Sequence, residues 1–326
     1  MDTTGYLNAV VEQTSTFAEW VDGKDAAIPV PTCPQWTLAD LVDHVSATQR
    51  MVAMLVGERM SEPSEAFARY VPAPADSGQW GAWMTDAAAE AKQAFDSVDD
   101  DTPVWDPSGA AAGVPFWSRR LFGEACVHRA DAAAALGMRY ELAPEYAAEA
   151  LEDWLDTMTS SGYWENRPGF ADAMRGGGQT LHFHATDAPG EWLARREADR
   201  VVLARAHGKA DVAVRGPAAE LLLVISRRRP LREVPGCAGR SGPVRPLDRP
   251  HGLGHRLTHT RPGGGYVPTV PSVASRNRSR WPQWRAVSSI MWIIAKRSVK
   301  SMSWPRAESS RSASVIARRE FSHSRT

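Results

Sequence analysis

Apolar positions recur at helical spacing through the first half of the chain. Tyr6, Leu7, Val10, Val11, Thr14, Phe17, Trp20 and Val21 form one stripe over residues 3–22, and Gly23 stops it. After the Pro-rich segment IPVPTCPQW, Leu38, Leu41, Val42 and Val45 begin a second stripe. Thr37 and Asp40 have capping-box spacing, with Trp36 placed to staple onto Leu41, so the pattern predicts a helix over 37–57. Trp80, Trp83, Met84, Ala87, Ala88, Ala91, Ala94, Phe95 and Val98 predict a third. Residues 116–136 read as a fourth, opened by Pro115 and closed by Gly137. A shorter one follows from Pro144, through Tyr146, Ala150, Leu151, Trp154, Leu155 and Met158.

The period changes near Gly176. Residues 179–186, 192–197, 201–206 and 209–216 alternate as strands, and 217–230 read as a helix opened by Pro217. The fold class expected is mainly α with a second α+β part. A four-helix bundle over 1–160 precedes a small α+β domain over 176–234. Beyond Val234 the periodicity fails, and 235–326 read as a low-complexity, disordered basic tail.

Charge sharpens that division. The net charge of the 326 residues is +0, but residues 235–326 hold 17 Lys and Arg against three acids, a net of +14. The first 234 therefore carry −14. Two accounts fit the tail: a stretch translated out of frame, or a basic arm for nucleic acid or another acidic partner, of which the first is preferred. Three cysteines form no C-x-x-C pair, and the N-terminus lacks the charge and apolar run of a signal peptide. With no run long enough to span a bilayer, the expected location is cytoplasmic, without a membrane partner.

Glu124 and His128 lie one helical turn apart, with Asp131 three residues on. That spacing alone favours an exposed pair. His44, at the edge of the second helix's apolar face, changes the balance, because inward residues of different helices meet in a bundle core. One His, one Glu and a second His give three protein ligands and an open position, the arrangement of a catalytic zinc ion. Asp131 is placed to accept from His128. His182 and His184 share a strand face and can bind metal, although a sheet face covered by the bundle or by solvent is the preferred reading. Cys33, in a Pro-flanked turn, reads as a small buried hydrophobe, and Cys126 points away from the ligands.

The segments PTCPQWTLADLVDHVS (31–46), GEACVHRADAAAALG (123–137), TLHFHATDAPGEWL (180–193) and KADVAVRGPAAELLLVISRRRP (209–230) together resemble the actinobacterial mycothiol-dependent maleylpyruvate isomerase family. The resemblance covers about residues 5–233. It implies a DinB-like four-helix bundle, a divalent metal, usually zinc, on His44, Glu124 and His128, and mycothiol as the thiol cosubstrate. It also implies cis–trans isomerisation of maleylpyruvate, or a related thiol transfer to a small electrophile. The partners expected are therefore a small-molecule thiol and its substrate. Arg227 and Arg228 are the candidates to meet the cofactor by the same analogy, with a solvated basic helix end as the blander alternative. The rival expectation is a metal-binding or regulatory bundle without turnover.

Overall fold

The computed structural model describes residues 1–108, 113–165 and 168–233. Helices α1 (Thr3–Val21) and α2 (Leu38–Gly57) come first. A short α3 (Ser64–Ala68) and a 3₁₀ turn (Ser77–Gln79) lead to α4 (Trp80–Asp96), and α5 (Gly113–Leu136) completes the bundle. In it α1 packs on α4 and α5, and α2 on the same two helices. The apolar stripes of the sequence are its buried faces, with Phe17, Leu41, Val52, Met84, Trp117, Leu121 and Phe122 all at 2 % exposure or less.

The capping box at the head of α2 is present in full: the Asp40 amide donates to the Thr37 hydroxyl, and the Thr37 amide donates to the Asp40 carboxylate. Helix α5 begins at Gly113, two residues before Pro115, because proline is tolerated throughout a first turn where its missing N–H has no partner to lose. Helix α6 (Pro144–Thr159) packs along α5 and is followed by two short helices, α7 (Ser161–Glu165) and α8 (Pro168–Met174).

Strands β1 (Thr180–Ala185), β2 (Glu191–Arg196), β3 (Val201–Arg205) and β4 (Val212–Gly216) make one sheet in the order β3-β2-β1-β4, with β1 antiparallel to β2 and parallel to β4. The inner face carries Phe183, Ala185, Trp192 and Val214 against α6 and helix α9 (Ala218–Ile225), in one apolar cluster with the bundle's Val52, Phe122 and Leu151. The outer face carries His182, His184, Glu191 and Leu193.

Helix α9 is shorter than the 217–230 expected. After Ser226 the chain turns at Arg227, which has a φ of 62°, and the amides of Arg228 and Arg229 both donate to the Leu223 carbonyl. Arg227 and Arg228 therefore lie beyond the helix rather than at its end. The expected tail falls outside the described residues. Among the described residues no helix is long and apolar enough to cross a membrane.

Candidate metal centre

Helix α5 presents Glu124 and His128 on one side, one turn apart, and α2 brings His44 to meet them. One ligand atom from each of the three lies within 4.8 Å of the others. His128 Nε2 is 2.9 Å from Glu124 Oε2, and His44 Nε2 is 3.6 Å from the same oxygen. All three of these atoms are buried, and none makes a hydrogen bond of acceptable geometry. Burying three polar atoms without partners is costly unless something else satisfies them. One cation between them would do so.

The surroundings fix what each donor can offer. Arg120, buried one turn before Glu124, donates through Nε and Nη2 to Glu124 Oε1 at 3.1 and 2.6 Å, which leaves Oε2 turned to the histidines. Burial pushes the Glu124 carboxyl up, but Arg120 and the two imidazoles outweigh it and hold the group well below the usual carboxylate range. Burial lowers the His44 imidazole, favouring the neutral ring that ligates metals. For His128 burial also lowers, but Asp131 and Glu124 win and raise it.

Asp131 is fully buried, and its Oδ2 lies 2.8 Å from His128 Nδ1. An N–H on Nδ1 donating there leaves Nε2 with its lone pair facing Glu124 and His44. Arg228 closes the arrangement from the other end of the chain. Its Nε and Nη2 grip Asp131 Oδ1 and Oδ2 at 3.0 and 2.8 Å, a two-point clamp on a carboxylate already held by His128. Burial pushes Asp131 up, but Arg228 and His128 hold it far below its ordinary value.

One aromatic ring, Trp36, lies against both histidines of the centre. Trp36 stacks near His128 with ring centroids 5.8 Å apart and tilts over His44 at 4.9 Å. Cys33 is half-buried beside it, its Sγ 3.6 Å from Asp131 Oδ2 and 3.7 Å from Arg228 Nη2, so it is not the isolated apolar filler expected from the sequence. Cys126 is buried elsewhere in the core, and burial pushes its thiol up. A cleft of about 590 Å³ lined by Tyr6, Arg119, Asp153 and Asp156 includes none of the three donors.

The structure thus brings together His44, Glu124, His128 and Asp131. It sets Arg228 against Asp131 and leaves Arg227 exposed on the turn after α9. Arg120 and Trp36 were not foreseen as parts of the site. Arg120 had a signal, sitting one turn before Glu124 on the same helix face. His182 and His184, for which metal binding was the less favoured of two expectations, belong to a second group with Glu191 and His207.

Two family models match the chain: the mycothiol maleylpyruvate isomerase N-terminal domain over residues 7–133 and the C-terminal domain of the same family over 141–240. No curated protein and no solved structure matches.

Proposed function

The chain belongs to the mycothiol maleylpyruvate isomerase family, and from that premise we propose that it is a metal-dependent, mycothiol-dependent isomerase or thiol transferase acting on a small electrophile. One observation carries the metal half of this reading. Three buried donor atoms, on His44, Glu124 and His128, converge with no hydrogen-bond partners. Two imidazoles and one carboxylate suit zinc and leave a coordination position open. A divalent ion held there would supply Lewis acidity that turns a thiol into its thiolate near neutral pH.

The chain's own residues do the rest of the work in this reading. Arg120 balances Glu124 and keeps one carboxylate oxygen out of play. Asp131 holds the proton on His128 Nδ1, and Arg228 holds Asp131. Trp36 shields one side of the centre from water. Maleylpyruvate carries an activated alkene between a carboxylate and a ketone. Addition of the thiolate to one alkene carbon places the electron pair on the neighbouring carbonyl as an enolate. The former double bond rotates, and collapse of the enolate expels the thiolate and leaves the trans alkene. A cation must meet the substrate's carboxylate. Arg228 pairs with Asp131, which makes its part here positioning, and the exposure of Arg227 on the turn after α9 makes it the candidate for that contact.

The test is turnover of maleylpyruvate by the purified full chain, with and without mycothiol, before and after chelation. The reading predicts a rate that needs both, is lost on chelation, returns with zinc and is absent in Glu124→Gln. A metal-loaded protein with no thiol-dependent turnover of maleylpyruvate or other small electrophiles would put the non-catalytic metal-binding bundle in its place.

A further inference from the structure

A second cluster lies on the outer face of the sheet. His182 and His184 alternate on β1, and the register sets His184 directly opposite Glu191 of β2. His207 comes from the segment after β3. Three imidazole nitrogens converge on the one carboxylate: His182 Nε2 at 3.0 Å from Oε2, His184 Nδ1 at 3.3 Å from Oε1, and His207 Nδ1 at 2.6 Å from Oε2. One ligand atom from each of the four residues lies within 4.8 Å of the others.

We propose that His182, His184, Glu191 and His207 form a second metal site, for a divalent ion of the zinc, cobalt or nickel type. The donor set decides the class. Three imidazoles and one carboxylate suit borderline transition ions and disfavour magnesium and calcium, which take oxygen ligands. A structural ion pair needs one histidine per carboxylate, and here three rings from two separate segments share one. His182 is 6 % exposed although it stands on the open face of the sheet. His207 is the opposite, with a side chain 79 % exposed that is nonetheless turned in to meet Glu191. Holding an exposed ring in one orientation costs rotamer entropy, and a shared ion would offset that cost.

The two sites differ in what they can do. Four protein ligands fill a tetrahedral ion, the mark of a structural site, whereas the three donors in the bundle leave a position open. The ion on the sheet would tie the segment after β3 to β1 and β2, and it would leave thiol chemistry to the bundle.

Cobalt titration of the chelated full chain tests this, read by stoichiometry and by the visible bands of tetrahedral Co²⁺. The wild type is expected to take two equivalents. His207→Ala and Glu191→Gln are each expected to weaken one of them at least tenfold and to leave the other in place. His207 is exposed, so its removal leaves the fold intact. His44→Ala should remove the other equivalent. A single equivalent lost in His207→Ala but kept in His44→Ala would support the sheet site and count against the bundle site. Cobalt binding unchanged in both His207→Ala and Glu191→Gln, or a single equivalent lost only in His44→Ala, would overturn the proposal.

Discussion

Asp131 decides how His128 is used, and it does so from a fully buried position with two partners. Asp131→Asn keeps the shape but removes the charge that both His128 and Arg228 face. Outer partners of metal-binding histidines typically matter by about 10- to 100-fold in affinity. That loss is expected for zinc in Asp131→Asn, measured by chelator competition. Breaking a buried ion pair from one side also costs about 3–5 kcal/mol, so the variant should unfold at clearly lower denaturant concentration. Arg228→Lys should fall between it and the wild type, since an ammonium cannot reproduce the two-point grip. The His128–Asp131 contact was legible in the sequence, because residues three apart share a helix face. The Arg228 contact was not, since it spans 97 positions and depends on how the turn after α9 is aimed.

At the scale of elements, α6 is held to its neighbours by close packing and by charge. A Cβ on Gly123 of α5 would run into the carboxylate of Asp153 on α6, and that carboxylate pairs with Arg120 at 2.5 Å. Gly123→Ala should therefore destabilise the protein by about 1–3 kcal/mol despite alanine's better helix propensity, seen as a lowered Tm. At the outer end the Tyr6 hydroxyl of α1 donates to Glu149 of α6 at 2.5 Å. Burial raises the Glu149 carboxyl, but Tyr6 and the amino group of Met1 outweigh it and hold it below its ordinary value. A depressed carboxyl contributes stability that is present above its unfolded pKa and lost as the pH falls through its folded one. The stability difference between wild type and Glu149→Gln should be level from about pH 5.5 to about pH 7 and should fade below about pH 4. Its size should stay near or below about 1 kcal/mol, since the pair is partly exposed.

The long elements were readable in advance because their apolar stripes run for four turns or more, as in α1, α2, α4 and α5. Helices α7 and α8 were missed because five and seven residues hold too few turns to show a period. Strand alternation put His182 and His184 on one face. It carried no information about register, so Glu191 and His207 stayed hidden as their neighbours.

The whole molecule joins its two halves at the proposed centre. One apolar cluster runs from the bundle to the inner face of the sheet, and Arg228 reaches from the far side of α9 to Asp131. On the proposed function, an activity built in the bundle would depend on a residue of the second half that pairs with Asp131 and not with the three donors. Arg228→Ala should lower zinc affinity while leaving His44, Glu124 and His128 in place, and its thermal unfolding should shift down in the same sample. The opposite charges of residues 1–234 and 235–326 were plain from composition, whereas this long-range tie was not.

Whether three buried donors share one ion can be read from anomalous diffraction at the zinc edge, using crystals grown with zinc. A peak is expected about 2.0–2.2 Å from His44 Nε2, Glu124 Oε2 and His128 Nε2. No peak among these atoms, with Glu124 and His128 still in direct contact, would contradict it.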